Sequence, residues 1–279
     1  MSIEYVTKFS PKVDEQFSAE SRISILTNQD YDWTGAHSVK VYKVSTAPMN
    51  DYDRNGELRP GECSRYGAVK DLDATTEEMI LRKDRSFTFV VDKLDEDETG
   101  GAVQAATALA RQIREVVIPE VDAYTYAQMA AKAGTKADAI TLTAENIYDE
   151  IIKGSEVLDD AMVPETERAL VVTPAVYSLL KKNPDANMSS AIADDMKIRG
   201  VVGEIDGFKV VKVAKSRLPE AFGFMLAHPS ATVAPVKLEE YKTHSDPPGI
   251  SGDLVEGRIC YDAFILDNKV DGIYYQPMA

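Results

Sequence analysis

The sequence has 279 residues, of which 44% are hydrophobic and 28% are charged, and this balance excludes a chain that is disordered throughout. Its formal net charge of −15, from 46 acidic and 31 basic side chains, argues against tight binding to nucleic acid, because domains that bind it carry a basic surface. The two cysteines, Cys63 and Cys260, lie far apart and outside any CxxC motif, so neither a disulfide framework nor a zinc site is predicted.

The first residues lack a basic segment followed by an apolar one, and no apolar run approaches the roughly 20 residues that span a bilayer. We therefore expect no signal peptide and no membrane span. Residues 1–32 are polar and weakly patterned, which is typical of an arm that lies on another surface. Residues 38–44 alternate in the manner of a β-strand, and residues 77–92 are predicted to return as one strand with Phe87, Phe89 and Val91 on one face.

A long polar stretch, 45–76, connects these two predicted strands. Its prolines and glycines, such as Pro48 and the pair Asn55-Gly56, are turn signals. A connection of this length with little core material is unusual inside a compact domain, and such segments tend to pack on a partner. The stretch is the first indication of a subunit that interlocks with others.

The clearest helix is predicted over 102–133. Its apolar residues step by three and four along one stripe: Val103, Ala106, Ala110, Ile113, Val117, Val121 and Tyr124. Pro119 removes a backbone donor inside the helix, so we expect a bend there, and Gly134 suits the end. The acidic run 92–98 is interpreted as a solvated loop that caps this helix; a divalent cation site is the alternative, although the spacing of an EF-hand loop is missing.

An alternation of helices and strands follows. A helix is predicted from residue 143 or 144 to about 160, with Ile147, Ile151 and Leu158 facing inward. The later predictions are a strand at 169–173, a helix from Pro174, a loop at 183–200, a hairpin at 200–215 turning at Asp206-Gly207, a buried strand at 222–228, and strands within 230–243 and 254–275 separated by a turn at 247–249.

Catalytic and cofactor-binding patterns are missing from the sequence. The histidines His37, His228 and His244 have no metal-ligand spacing, and no GxSxG, GxxxxGK[ST] or GxGxxG motif occurs, so no catalytic residue, metal or cofactor is predicted. The carboxylates within 261–275 allow a glycosidase-like pair as the sharper alternative. Alternation along a half-exposed strand that ends in a turn at Asn268–Gly272 explains their spacing equally well, and we favour that interpretation.

Three stretches carry a resemblance to a known family. They are ALARQIREVVIPEVDAYTYAQMA (108–130), MLAHPSATVAPVKLEEY (225–241) and DLVEGRICYDAFILDNKVDGIYY (253–275), the last with a G-x-x-x-Y-D-A-F pattern. In order and length they resemble the major capsid protein family of tailed double-stranded DNA phages, whose fold encapsulin shells share. The resemblance implies an α+β fold with a long spine helix, a P-domain β-sheet, an inserted α/β A-domain and an extended two-stranded loop.

By this resemblance the chain divides into an N-terminal arm (1–32), the extended loop (33–92), a P-domain (93–144 and 229–279) and an A-domain (145–228). The implied function is a structural, non-enzymatic head protein that self-assembles into hexamers and pentamers of an icosahedral shell around phage DNA. The residues expected to contact a neighbouring subunit lie at the loop tip: Met49, Asn50, Asp51, Tyr52, Asp53, Arg54, Asn55, Gly56, Glu57, Leu58, Arg59 and Arg65. Pro119 is the expected bend of the spine helix.

The resemblance also implies partners and a location. β-like sequence begins by about residue 38, where some relatives carry a fused scaffolding segment, so a separate scaffolding protein is expected, together with portal and head-completion proteins. The packaged double-stranded DNA would be enclosed without specific binding, and the protein would be assembled in the host cytoplasm and reside in the virion. The alternatives are an encapsulin nanocompartment shell, a cytoplasmic α/β hydrolase and an extended adhesin or tail protein.

Overall fold

The computed structural model describes residues 21–28, 30, 31, 33, 38–55, 64–67, 70–98, 104–183 and 201–279. Several predictions fall outside these residues: most of the arm, loop residues Gly56, Glu57, Leu58 and Arg59, His37, and most of the loop at 183–200. The chain forms two units, a smaller one at Gly35–Ile80 and a larger one made of Met1–Thr34 with Leu81–Ala279. Each unit is described by itself below.

The smaller unit is built on a two-stranded antiparallel ribbon. Strand β1 (Ser38–Val44) pairs with β2 (Ala74–Ile80), in a register that joins Ser38 to Ile80 and Val44 to Ala74. The predicted strand at 38–44 is thus confirmed. Lys43 and Glu77 form a cross-strand ion pair with an N–O distance of 3.0 Å. Among the described residues of this unit, Met79 is the only apolar side chain that is buried.

Strand β3 (Lys83–Asp92) belongs to the larger unit, and here the prediction of one strand over 77–92 is wrong. The structure has two strands, because β2 pairs with β1, whereas β3 pairs with a strand near the C-terminus. The break falls at Leu81 and Arg82, where the Arg82 backbone N–H donates to the Asp262 carboxylate at 2.9 Å instead of joining a strand ladder. The predicted shared face of β3 is confirmed, since Phe87, Phe89 and Val91 belong to one apolar cluster.

A three-stranded antiparallel sheet contains β3. Its order is β10–β11–β3, where β10 is Val236–Ser245 and β11 is Gly252–Tyr261. The predicted turn at 247–249 lies between β10 and β11, and Asp246 and Gly249 take positive φ there. Asp92 caps the next element by accepting a hydrogen bond from Leu94 N–H at 2.8 Å. The acidic run therefore starts a short helix, α1 (Lys93–Glu98), rather than the loop we expected.

The long helix packs on this sheet but is not α-helical throughout. It consists of α2 (Ala105–Gln112), a π-helical turn (Ile113–Val117) and α3 (Ile118–Ala131). The Ile118 N–H donates to the Ile113 carbonyl, five residues earlier. Pro119 explains the π-turn, because its ring would clash with the carbonyl four residues earlier in a regular α-helix.

The π-turn also corrects the predicted apolar stripe. Ala106 and Ala110 are exposed, whereas Ala105 and Leu109 contact the sheet. The prediction assumed α-helical steps throughout. The π-turn contains one extra residue, so the residues before it that contact the sheet lie one position earlier in the sequence than predicted. Val117 and Val121 lie in the stripe as predicted.

Gly134 follows the helix and is needed for close packing. A Cβ there would lie 2.6 Å from the Val270 carbonyl oxygen. The Gly134 N–H donates to the same oxygen at 3.0 Å. Its role is therefore a close backbone contact.

The larger unit also contains a six-stranded mixed sheet. Its strands in chain order are β4 (Thr135–Lys136), β5 (Ala169–Val172), β6 (Val201–Ile205), β7 (Phe208–Lys212), β8 (Phe222–Ala227) and β13 (Ile273–Pro277), and their spatial order is β4–β13–β8–β5–β7–β6. The pairs β4–β13 and β5–β7 are parallel, and the others are antiparallel. The resemblance assigns the C-terminal strand β13 to the P-domain and β8 to the A-domain. In the structure these two strands pair with each other in one sheet.

Both faces of this sheet are covered. Val171 belongs to one cluster with Tyr126 and Met129 of α3. Leu170 and Val172 belong to another, together with two further helices, α4 (Ile147–Asp160) and α5 (Pro174–Lys182). Full burial on both sides explains the unbroken apolar run of β5. The predicted inward residues of α4, Ile147, Ile151 and Leu158, are confirmed as buried.

The helix predicted from residue 143 or 144 begins at Ile147, and the predicted turn at Asp206-Gly207 is confirmed. Thr143 and Asn146 bond reciprocally before α4, and the Thr173 hydroxyl accepts from Val176 N–H at the start of α5. Asp206 and Gly207 both take positive φ, as a tight hairpin between β6 and β7 requires.

The segment 254–275 is less regular than predicted. It contains the end of β11, a short strand β12 (Phe264–Ile265) that pairs with β9 (Thr232–Val233), a 3-10 helix (Asp267–Gly272) and the start of β13. The predicted turn at Asn268–Gly272 coincides with that 3-10 helix. Of the described helices, none is long and apolar enough to cross a membrane.

Candidate inter-subunit surfaces

The loop tip, defined here as the described residues between β1 and β2, is ordered by links between its two sides. Ser45 N–H donates to the Asp73 carbonyl at 2.9 Å, and Asp73 N–H donates to the Ser45 hydroxyl at 3.0 Å. Farther out, Asp53 N–H donates to the Arg65 carbonyl at 2.9 Å, and the Arg65 guanidinium donates to the Arg54 carbonyl at 3.0 Å. Three of the predicted contact residues therefore hold the tip in shape.

Aromatic packing adds to this order. The rings of Tyr52 and Tyr66 meet edge to face at a centroid distance of 5.0 Å. The Asn50 side chain donates to the Tyr66 carbonyl at 3.4 Å. Tyr66 was not among the predicted contact residues. Its position beside Tyr52 follows from the hydrogen bond that joins Asp53 to Arg65 across the loop, which sequence spacing does not reveal.

The smaller unit exposes most of its apolar side chains. Met49 is 99% exposed and Tyr66 is 78% exposed, and four others are also exposed: Tyr42, Val44, Tyr52 and Leu72. Full burial of such a side chain is worth about 1.5–3 kcal/mol. A two-stranded ribbon with one buried apolar residue, Met79, is at best marginally stable alone. This surface therefore has the composition of one that is covered by a partner.

A second candidate surface is a groove in the larger unit, between the π-turn and the three-stranded sheet. It has a volume of about 120 Å³, with Val116, Val117, Phe87 and Ile259 among its apolar lining. Glu120 lies at its rim and accepts from Arg85 at 2.7 Å and from the Tyr261 hydroxyl at 3.2 Å. Burial, together with Glu120, raises the pKa of Tyr261 to about 12. Pro119 lies beside this groove, and the expected bend of the helix there stays a prediction.

The carboxylates near the C-terminus have a structural explanation. Asp262 is buried and accepts from the Tyr124 hydroxyl at 2.8 Å, from Arg82 N–H at 2.9 Å and from Ala263 N–H at 2.8 Å. Burial and this carboxylate raise the pKa of Tyr124 to about 12. Asp267 and Asp271 are exposed. Asp262 therefore joins the long helix to the start of β3, a role that the sequence analysis missed.

A buried ion pair was also missed. Asp122 of α3 accepts from Arg217 at 2.7 Å and from the Ser21 hydroxyl at 2.6 Å. Burial raises the pKa of Asp122, against the lowering effects of Ser21 and Arg217. The partners are 95 and 101 residues away in sequence, so no periodicity could have paired them.

The histidines that the structure describes have protein partners. The His228 ring lies 2.7 Å from the Ser230 hydroxyl, and burial lowers the pKa of this histidine. His244 lies 3.3 Å from the Glu256 carboxylate. Within the described ranges, no group of three or more His, Cys, Asp or Glu side chains could hold a metal ion.

The fold is shared with solved phage capsids. A structure from Mycobacterium phage Che8 is 19% identical with a TM-score of 0.70, covering 97% of this chain and 96% of that one. The capsid of Cyanophage P-SCSP1u is 13% identical with a TM-score of 0.74, covering 99% and 93%. The mature capsid of bacteriophage PhiM1 is 15% identical with a TM-score of 0.68, covering 99% and 92%. At these identities the likeness concerns the fold.

The sequence itself decides the family. A model of the family described as "Phage capsid protein" matches residues 75–275, so the chain belongs to that family. No curated protein matches the chain. The protein is a structural major capsid protein, a component of a multi-copy virion shell, and both the predicted family and the predicted α+β capsid fold are confirmed. The encapsulin and hydrolase alternatives are not favoured.

Proposed function

We propose that the subunit forms the hexamers and pentamers of an icosahedral head, and that its loop tip lies on a neighbouring copy. The exposed apolar side chains of the Gly35–Ile80 unit are the observation that carries this proposal. A second copy of the same chain is the partner that an assembling shell supplies at every position. The predicted contact residues that the structure describes, Met49 to Asn55 and Arg65, lie on this unit, and Gly56 to Arg59 fall within the same stretch of sequence.

Ring closure follows from head-to-tail contacts that repeat until the rotation closes. Each contact can be weak, because one subunit touches several others and the contacts then act as intramolecular ones. We assign the arm to 1–32, the extended loop to 33–92, the P-domain to 93–144 and 229–279, and the A-domain to 145–228. A bend at Pro119 would let one sequence fit rings of different curvature.

The shell would enclose double-stranded DNA without binding it specifically. The net charge of −15 supports this, because phosphate affinity comes from lysine and arginine contacts. Capsid family membership supports assembly in the host cytoplasm together with a separate scaffolding protein, a portal and head-completion proteins.

Two exposed methionines provide a matched test. Met49 is 99% exposed on the loop tip, and Met162 is 90% exposed on the larger unit. Met49→Ser should leave the thermal unfolding of the isolated subunit unchanged and reduce the yield of closed particles, because it removes apolar surface that only a neighbour covers. Met162→Ser should change neither. The yield is counted by negative-stain electron microscopy and sedimentation across a salt series, since salt screens repulsion between acidic copies.

A deletion makes the same test more severe. Removing residues 50–62 should leave a folded subunit that fails to close shells. Particles of unchanged yield and size from the deletion variant would refute the interlocking loop, while the family assignment would stand. A wild-type chain that stays monomeric at high concentration and high salt would instead refute assembly of this chain alone into rings.

A further inference from the structure

The base of the arm, defined here as residues 21–28, is docked on the 3-10 turn Pro229–Ala231 that follows β8. The Asn28 side-chain amide donates to the first two carbonyls of this turn, at 3.2 Å and 3.1 Å. The backbone N–H of Asn28 donates to the Thr232 carbonyl, directly after the turn, at 3.0 Å. Leu26, which is fully buried, belongs to the same apolar cluster as the last residue of the turn. The position of the arm base therefore depends on the shape of this turn.

The side chain of His228 closes the turn. The Ser230 N–H donates to the Nδ1 atom of the His228 ring at 3.2 Å, and the Ser230 hydroxyl lies 2.7 Å from the same atom. A backbone N–H can only donate, so Nδ1 has to accept and the proton of the neutral ring lies on Nε2. A protonated ring would set one donor against another at Nδ1; the hydroxyl can rotate to accept, but the N–H cannot. The closed turn therefore requires the neutral ring.

The surroundings of the ring also favour its neutral form. His228 is 8% exposed, and burial is the largest effect on its pKa, which lies below the ordinary value of 6.5. A hydrogen bond with the Thr166 backbone and the charge of Glu167 raise this pKa. The charges of Arg168 and Lys269 lower it. Because the folded-state pKa is lowered, the stability that the neutral ring contributes is fully present above pH 6.5 and is lost as the pH falls to the folded value.

The geometry points to His228 as a proton-operated latch for the arm: the neutral ring closes the turn that holds Asn28, and a proton at Nδ1 opens the turn and frees the arm base. A second anchor of the arm base responds to acid in the opposite direction. Asp122 accepts from the Ser21 hydroxyl at 2.6 Å, and burial raises the pKa of Asp122, so its contribution to stability grows as the pH falls. Loosening of the arm base in mild acid therefore distinguishes His228 from this carboxylate. The latch is a property of the single subunit, so it is independent of the proposed shell contacts.

The test measures opening of the arm base in the full-length subunit by amide hydrogen exchange between about pH 8 and about pH 5, a range in which histidines titrate and most carboxylates stay ionised. Exchange is corrected for its intrinsic dependence on pH. Protection of residues 21–28 and 228–233 is expected to fall about tenfold for each pH unit between the ordinary and the folded pKa of His228, because the open turn gives the ring its ordinary pKa. Protection of α5 should stay constant, since this helix belongs to the other apolar cluster.

Two variants assign the response to one ring. His228→Asn supplies a side chain that caps through the same backbone N–H but does not titrate, so it should keep the arm base protected and abolish the pH response. The matched control, His37→Gln with His244→Gln, leaves His228 as the only histidine and should keep the full response. In this control the ring can be titrated by NMR. Its midpoint should lie below about pH 6.5 and coincide with the loss of protection.

The outcomes separate clearly. Constant protection of the wild-type arm base over this pH range overturns the latch. A response of equal size in His228→Asn, or its loss in the control variant, also overturns it, because a different group would then be responsible. If His228→Asn does not fold, the control variant decides alone: coincident midpoints support the latch, and a ring midpoint at or above the ordinary value, or one that differs from the midpoint of opening, refutes it.

Discussion

Replacing Asp262 with alanine removes one carboxylate that serves three donors. The donors are the Tyr124 hydroxyl and the backbone N–H groups of Arg82 and Ala263, at 2.8–2.9 Å. A buried donor left without an acceptor costs about 1–3 kcal/mol. Water can reach the Tyr124 side more readily than the buried Ala263 N–H, so the three costs are unequal. We expect Asp262→Ala to lower the free energy of unfolding by about 3–5 kcal/mol.

Two milder variants divide this effect. Asp262→Asn can keep two of the three bonds through the oxygen that faces Tyr124 and Ala263, but it places an amide NH₂ against the Arg82 N–H, so we expect a loss of about 1–2 kcal/mol. Tyr124→Phe removes one donor and should cost about 0.5–1.5 kcal/mol. In the double variant with Asp262→Ala, the cost of Tyr124→Phe should largely disappear, because its partner is already gone.

The assay follows from the position of the single tryptophan. Trp33 is buried and stacks on Phe264 at a centroid distance of 5.5 Å, two residues from Asp262. Urea unfolding followed by tryptophan fluorescence therefore reports this part of the larger unit, and circular dichroism reports the whole chain. A loss below about 1 kcal/mol for Asp262→Ala, or additive costs in the double variant, would refute the reasoning that this carboxylate ties the long helix to β3.

Two further predictions concern the sheet and its tyrosines. Gly257→Ala should lower the free energy of unfolding, measured from the urea midpoint, by about 1–3 kcal/mol, because a Cβ there would lie 2.3 Å from the end of the Phe87 ring. The control is Gly207→Ala, whose Cβ meets open space and whose only cost is the positive φ. Equal tolerance of both variants would contradict this prediction. The folded-state pKa of Tyr124 and of Tyr261 is raised from 10.0 to about 12, so each contributes stability that is fully present below pH 10 and is lost as the pH rises to about 12. Phenolate absorbance in an alkaline titration should show both groups ionising late in the folded chain, and Tyr261→Phe should remove one of these late steps; ionisation of all tyrosines near pH 10 before unfolding would argue against buried hydroxyls.

Local signals predicted local structure well, because neighbouring residues determine it. The Asp206-Gly207 turn and the inward face of α4 follow from backbone preference and helical period. The division between β2 and β3 was missed because it depends on Asp262, 180 residues from Arg82 in sequence. The shift of the apolar stripe to Ala105 was missed because a π-turn leaves no periodic signature of its own.

The candidate surface was predictable in part for the same reason. A long polar stretch with few core residues suggested a segment that packs on a partner, and the predicted contact residues that the structure describes are exposed, with the exception of Asp53. Tyr66 was missed, since its position beside Tyr52 depends on contacts between the two sides of the loop. The buried pair of Asp122 and Arg217 was missed because it joins distant segments that only the folded chain brings together.

The sparse interior of the Gly35–Ile80 unit has a consequence for how variation in this protein would be detected. Substitutions at Met49 or Leu72 change surface that the isolated subunit already exposes to water in both its folded and unfolded states. A screen based on melting temperature or on soluble expression would therefore score them as neutral. Only a screen that selects for completed particles would register them, so the two kinds of screen applied to one library should disagree most strongly within this segment.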